Sequence, residues 1–142
     1  MFKITPNPDV SSPLHIYTMS PYSTNKIAIP RYENMGNKIW IFTANFPPWQ
    51  HKIQFLKPML TKTEFKRSQK FYFEKDRSLY ILAHGLLRLV LGRLTGLEPP
   101  RVPIKIAPGG KPYMPPFLGL SSLNFNLSHS KEFIPISTPR KF

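Results

Sequence analysis

The residues best equipped for chemistry in this chain are a set of cations and a single serine-histidine pair. Lys62, Lys66, Arg67 and Lys70 lie within nine positions of one another, Gly109-Gly110-Lys111-Pro112 forms a short glycine-lysine turn, and Ser128-His129-Ser130 closes an alternating run. Lysine and arginine make charge-assisted hydrogen bonds with phosphate oxygens, and glycine lets a backbone come close to such a group. Nucleophilic catalysis fits less well: Ser128 is next to His129 in sequence instead of opposite it, and no acid lies nearby to orient the ring. His15, His51 and His84 lack the close spacing of helical metal ligands, and there is no cysteine, so a zinc site is not indicated. The glycine-lysine turn is not a P-loop, because that motif leads into a helix through Ser or Thr and here Lys111 is followed by proline. Two bland readings stay open at this point: the glycine pair as an ordinary hairpin turn, and His129 as a strand-end histidine.

The charge balance agrees with anion binding. Twenty Lys and Arg stand against Asp9, Glu33, Glu64, Glu74, Asp76, Glu98 and Glu132, a formal charge of +13. That sets the sign of a partner without naming it: nucleic acid, an anionic membrane, an acidic protein or a phosphorylated small molecule. The absence of cysteine removes disulfides and thiolate catalysis and makes a reducing cytoplasm the default compartment. The strongly apolar stretch from Leu79 to Leu94 contains His84, Arg88 and Arg93 and is too short and too charged to span a bilayer. The N-terminus lacks the apolar run of a secretory signal, so the expectation is a soluble protein with no membrane partner.

The elements that must position these residues can be read in part. Residues 1–37 show no sustained period, and Pro6, Pro8, Pro13, Pro21 and Pro30 interrupt them; the expectation is a poorly ordered extension. Lys38 to Phe46 is rich in β-branched and aromatic residues and stops at Pro47-Pro48, which predicts a strand. Thr61 and Glu64 have the spacing of a capping box, predicting a helix to about Phe73 with Phe65, Gln69 and Tyr72 on an inner face and Lys62, Lys66, Arg67 and Lys70 outside. Leu79, Leu82, Ala83, Leu86, Leu87, Val90 and Leu94 recur at threes and fours, which predicts a core helix from Lys75 to Gly96 in which Gly85 and Gly92 allow close packing. Val102–Ala107 and Lys111–Met114 flank a turn and predict a hairpin; Leu123–Leu127 alternates, which predicts Leu123, Phe125 and Leu127 inside and Asn124 and Asn126 outside. After Glu132 the pattern is lost, so residues 131–142 read as an atypical tail and 38–130 as the folded unit.

Order and spacing add what single motifs do not. Phe71 to Arg77 (FYFEKDR), Gly110 to Pro112 (GKP) and Phe125 to Ser130 (FNLSHS), in that sequence, resemble the N-terminal half of 4'-phosphopantetheinyl transferases of the surfactin-synthetase-activating type. The resemblance covers about half the chain, from about Thr61 to Ser130. It implies an α+β fold, one half of the 4'-phosphopantetheinyl transferase fold, with a small, mainly antiparallel sheet packed on a long core helix. It implies coenzyme A as substrate and an acyl- or peptidyl-carrier protein as the acceptor of the phosphopantetheine arm. By position, Arg67 matches a basic residue that contacts the coenzyme's phosphates, with Lys66 and Lys70 as auxiliaries. Lys111 matches the lysine that lies against the 3'-phosphoadenosine end, with Gly110 and Pro112 shaping the adenine pocket, and Ser128 and His129 match the pair that binds the 3'-phosphate.

The departures are as informative. Glu64 stands where some members carry a basic residue, and Leu79 and His84 stand where relatives often have arginine. The family continues past S-H-S into the acids that ligate magnesium, whereas this sequence reads KEFIPISTPRKF from Lys131 to Phe142. The resemblance therefore implies a coenzyme A-binding half with no magnesium ligands of its own, pairing with a C-terminal half or with itself. The reading from another class is a basic nucleic-acid-binding module built on Thr61 to Arg77; a third is a noncatalytic assembly partner.

Overall fold

A computed structural model describes residues 3–6, 14–22, 29, 31, 39–116 and 124–138. The order of elements is β1 (Lys3–Pro6), β2 (Leu14–Ser20), β3 (Ile39–Asn45), α1 (Phe46–Trp49), two short 3-10 turns at Ile53–Phe55 and Lys57–Met59, α2 (Lys62–Ser68), α3 (Glu74–Thr95), a third 3-10 turn at Pro99–Arg101, β4 (Lys105–Ile106), β5 (Pro112–Tyr113), β6 (Asn126–Leu127) and β7 (Phe133–Thr138). One sheet has the order β1-β2-β3-β7-β6 and a small second one pairs β4 with β5. Every pairing is antiparallel except β2 with β3. The chain is thus α+β, a small mixed sheet and one long helix, as the sequence predicts.

The long helix forms because its apolar residues recur at helical spacing and its ends are marked. Glu74 and Asp76 lie in the first turn, where the helix dipole favours negative charge. Gly96 ends the helix at φ +79, a left-handed conformation that glycine adopts without a Cβ clash, and its N–H bonds Gly92 O at 2.8 Å. Leu82, Leu86, Leu87, Val90, Leu91 and Leu94 join Phe42, Ala44, Ile134 and Ile136 of the sheet and Trp49, Leu56 and Leu60 in one buried cluster. Both interior glycines are at close approaches, as expected: a Cβ on Gly85 would meet Leu56 Cβ at 3.0 Å, and one on Gly92 would meet Leu97 O at 2.8 Å. The second contact is with backbone, which cannot rotate away. Gly92→Ala should therefore destabilise by about 1–3 kcal/mol despite alanine's better helix propensity, read as a lowered urea midpoint at constant slope.

Three expectations need correction. The helix begun by the capping box stops at Ser68, not Phe73, and its buried positions are Glu64 and Ser68, while Phe65 and Tyr72 are exposed. Glu64 is drawn inward by a buried arginine, described below, and this overrides the apolar pattern. Second, β1 and β2 lie within residues 1–37, where no regular element was expected. In β2 both parities carry apolar residues, so there is no alternation to read, and its partner β3 is 25 residues away in register (Leu14↔Ile39). His15 and Tyr17 stack on Trp40 at 4.7 and 5.3 Å, and Trp49 Nε1 donates to Met19 O at 3.3 Å. Third, the segment after Glu132 contains β7, which lies between β3 and β6 and buries Ile134, Ile136 and Thr138 in clean alternation.

Pro135 hid that strand, since proline lacks a ladder donor. Its carbonyl accepts from Ser128 N–H at 3.3 Å on the β6 side, so its nitrogen faces that side too. There β6 has already ended, at Asn126–Leu127 opposite Ser137 and Ile136, and no β3 bond is lost. The hairpin fits expectation: Ala107 N–H donates to Lys111 O and Gly110 N–H to Ala107 O, both at 2.8 Å, with Gly110 at φ +87. In the strand predicted over 123–127, Phe125 is buried and Asn124 and Asn126 are exposed; Leu123 lies outside the described residues.

Candidate functional site

The site is built on one face of α3. Its floor is an ion pair: Arg88, 3% exposed, donates through Nε to Glu64 Oε1 at 2.6 Å and through Nη1 to Pro99 O and Val102 O, each at 2.9 Å. The same Glu64 oxygen accepts from Thr61 N–H at 2.9 Å, and Thr61 Oγ1 accepts from Glu64 N–H at 3.2 Å, so the capping box and the buried pair share one carboxylate. Glu64 thereby locks α2 onto α3 and is not available to contact a ligand. Its departure from a basic residue has a structural reason: it neutralises Arg88.

One turn up from Arg88, His84 stacks on Tyr80 with centroids 4.0 Å apart and planes 22° from parallel, and Tyr80 touches the Phe71 ring at 5.8 Å. Burial pushes the His84 ring down to about 4; the Glu64 carboxylate opposes this, and the charges of Arg67, Arg88 and His129 reinforce it. Burial also raises the Tyr80 hydroxyl. The Arg67 guanidinium pulls it the other way by hydrogen bonding and charge, Glu64 raises it and Arg88 lowers it. The Tyr80 oxygen is enclosed, and its contact with Arg67 falls short of a fully formed hydrogen bond. Arg67 from α2 and His129 from the end of β6 are therefore both close enough to this face for their charges to act on His84.

The remaining predicted residues sort as follows. Lys66 is exposed on α2, and Lys70 lies past the end of that helix, its N–H bonded to Arg67 O at 3.2 Å. Ser128 and His129 are exposed, held by the Ser128–Pro135 bond and by a tight turn in which Ser130 and Phe133 exchange hydrogen bonds at 3.0 and 3.1 Å. Lys111, Pro112 and Tyr113 form one wall of a cavity of about 360 Å³ whose other wall is Asn124, Phe125 and Asn126. Lys111 thus shares its cavity with Asn126, two residues before Ser128. Leu79 packs against the core, so no cation stands there.

Sequence reading took Arg88 only as a charge that argues against a membrane span, passed over Tyr80, and gave His84 no site role. A signal for the first was present, since an arginine between Leu87 and Leu89 in a buried helix requires a partner. The partner, 24 residues earlier, was not legible. The magnesium implied by the resemblance finds no ligand set: among the described residues no three His, Asp or Glu side chains cluster, Glu64 is committed to Arg88 and Glu132 pairs with Lys75 at 3.7 Å. Also among the described residues, no helix is long and apolar enough to cross a membrane.

A long helix against a small mixed sheet carries the family-like motifs in one α+β unit, with GKP on a hairpin and S-H-S at a strand end. The family model for the N-terminal domain of 4'-phosphopantetheinyl transferases matches residues 44–140, and the chain belongs to that family. It is 35% identical over 102 residues to the 4'-phosphopantetheinyl transferase HetI of Nostoc sp. strain PCC 7120, covering 72% of this chain and 43% of that protein. To a 4'-phosphopantetheinyl transferase of Bacillus subtilis it is 28% identical over 76 residues, 54% of this chain and 33% of that one. The chain spans less than half the length of these curated relatives.

Proposed function

We propose that the chain is the coenzyme A-binding part of a 4'-phosphopantetheinyl transferase, holding the 3'-phosphoadenosine and pyrophosphate groups for transfer of the 4'-phosphopantetheine arm to a carrier-protein serine. In that transfer the serine oxygen bonds the β-phosphorus, the pyrophosphate bond breaks, and 3',5'-adenosine bisphosphate leaves. The observation that carries the reading is the family match over residues 44–140, in a chain that holds the FYFEKDR, GKP and FNLSHS motifs in order. Lys111 and Pro112, on the wall of their cavity, suit the adenosine end, with Gly110 setting the turn before them and Ser128 beside His129 offering a hydroxyl to the 3'-phosphate. Lys66 and Lys70 add charge at the rim. Charge-assisted bonds of this kind are the stronger class. Magnesium would need ligands from outside the described residues.

The test is calorimetric titration with coenzyme A and with its 3'-dephospho form. Coenzyme A should bind at least tenfold more tightly, and Lys111→Ala or His129→Ala should each remove about 1.5–3 kcal/mol of binding, roughly ten- to a hundredfold. Equal affinity for both ligands overturns the reading.

A second reading is favoured by one observation, exposed aromatics among the cations. Phe55, Phe65, Phe71, Tyr72 and Phe73 are exposed, with Lys52 over Phe55 at 5.4 Å and Lys57 over Phe65 at 5.9 Å. Single-stranded nucleic acid is held by such interleaving of rings and charge. That reading predicts binding of an oligonucleotide that falls steeply with salt and does not depend on Lys111 or His129.

A further inference from the structure

The corner between α2 and α3 carries three consecutive rings for which coenzyme binding has no use. Tyr72 is 86% exposed and Phe73 63%, although such side chains are ordinarily half-buried or buried. The backbone beneath them is fixed. Arg77 donates through Nη1 to Phe71 O at 2.9 Å and to Tyr72 O at 2.8 Å, and its N–H donates to Phe73 O at 3.1 Å. Phe71 leans on Tyr80 with centroids 5.8 Å apart, while Tyr72 and Phe73 meet edge to face at 5.0 Å and 85°. One arginine therefore ties three successive carbonyls and leaves two rings standing outside. Beside them is a polar cavity of about 400 Å³ whose lining includes His51, Lys57, Gln69, Glu74 and Arg77. Gln69 precedes the rings and Glu74 follows them, so cavity and rings adjoin. Lys66, Arg67, Lys70, Lys75 and Arg77 stand here against Glu74 and Asp76, and among the described residues no carboxylate pairs with Lys66, Arg67, Lys70 or Arg77.

We propose that this corner is where the acceptor protein docks, through a face on which an apolar stripe is flanked by carboxylates. The proposal rests on the transferase reading, which requires such an acceptor, and adds the surface it uses. Fixed, exposed aromatics beside cations without counter-charges are the make-up of a protein interface, with the rings as anchors and the charges setting orientation and encounter rate. A second copy of this chain is disfavoured as the occupant, because two molecules of charge +13 repel. Single-stranded nucleic acid would need successive ring faces on which to stack its bases, and rings 85° apart do not offer Tyr72 and Phe73 in series. Aliphatic side chains pack against rings at any angle, and the cavity and its lysine and arginine receive the flanking carboxylates.

The test is an NMR titration of isotope-labelled apo acyl-carrier protein with the full chain, alongside the double variant Tyr72→Ala/Phe73→Ala, whose exposed positions leave the core intact. Wild type should shift signals of apolar and acidic carrier residues on one face, and the double variant should bind the carrier about tenfold more weakly or worse. Calorimetry with coenzyme A on the same samples should give equal affinities, since neither ring is placed at the coenzyme. Carrier binding that ignores the two rings, no carrier binding by wild type, or rings that bind oligothymidylate in place of the carrier overturns the proposal while coenzyme binding stands. Failure of the wild type to bind coenzyme A overturns the coenzyme reading, whatever the carrier does.

Discussion

Arg88→Ala is expected to lose about 3–5 kcal/mol of folding stability, the cost of removing one partner from a buried ion pair. The substitution leaves the Glu64 carboxylate enclosed without its counter-charge and strips the Pro99 and Val102 carbonyls of the donor they share. It also loosens three elements together, because this one guanidinium joins α2, α3 and the turn after α3. Against the 5–15 kcal/mol that domains of this size usually have, such a loss takes the chain near its unfolding threshold. Urea denaturation followed by circular dichroism measures it. A double-mutant cycle with Glu64→Leu separates the pair from the packing: the double variant should be markedly more stable than the sum of the single losses, since both charges leave together. A loss of under about 1 kcal/mol for Arg88→Ala, the range of solvent-exposed pairs, would show that the pair does not tie α2 to α3.

Acid should destabilise the chain through His84. In the folded state the ring titrates at about 4, below the ordinary 6.5 it regains on unfolding. Between those values the unfolded chain binds the additional proton, so stability rises with pH across the window and falls as pH drops from about 6.5 toward 4. Above 6.5 this contribution is complete and below 4 it has been lost. The difference amounts to about 3 kcal/mol at most, from roughly 1.4 kcal/mol per unit. His84→Phe keeps a ring against Tyr80 and removes the titration, so the slope of stability against pH between 4 and 6.5 should be shallower than in the wild type whatever the absolute stability of the variant. Parallel slopes for the two proteins would show that His84 is not the group responsible.

Both predictions concern residues whose importance lies outside local sequence. The helix over residues 74–95 was legible because its apolar residues recur at helical spacing and its stop is a glycine, properties of a single segment. The hairpin was legible for the same reason, with Gly109-Gly110 between two short runs, and so were the three motifs that identify the family. The inward turn of Glu64 was not, because an acid at that position reads as an exposed capping residue until Arg88 is brought beneath it. Nor was β2, whose apolar residues fall on both parities and whose strand exists through its ladder with β3. β7 was concealed by Pro135, which is tolerated only because β6 ends before it would need the missing donor.

By itself, then, the amino-acid sequence determined the elements whose cause is local, a capping box, a periodic helix, a tight turn, and with them the class of protein. Tertiary structure alone decided which charges are spent and which remain. Arg88 and Glu64 neutralise each other inside the fold, whereas Arg67 and His129, from elements more than sixty positions apart in the chain, come to bear on the same half-buried histidine. The physical reason is that electrostatic energy depends on distance and burial in three dimensions, neither of which a one-dimensional pattern contains.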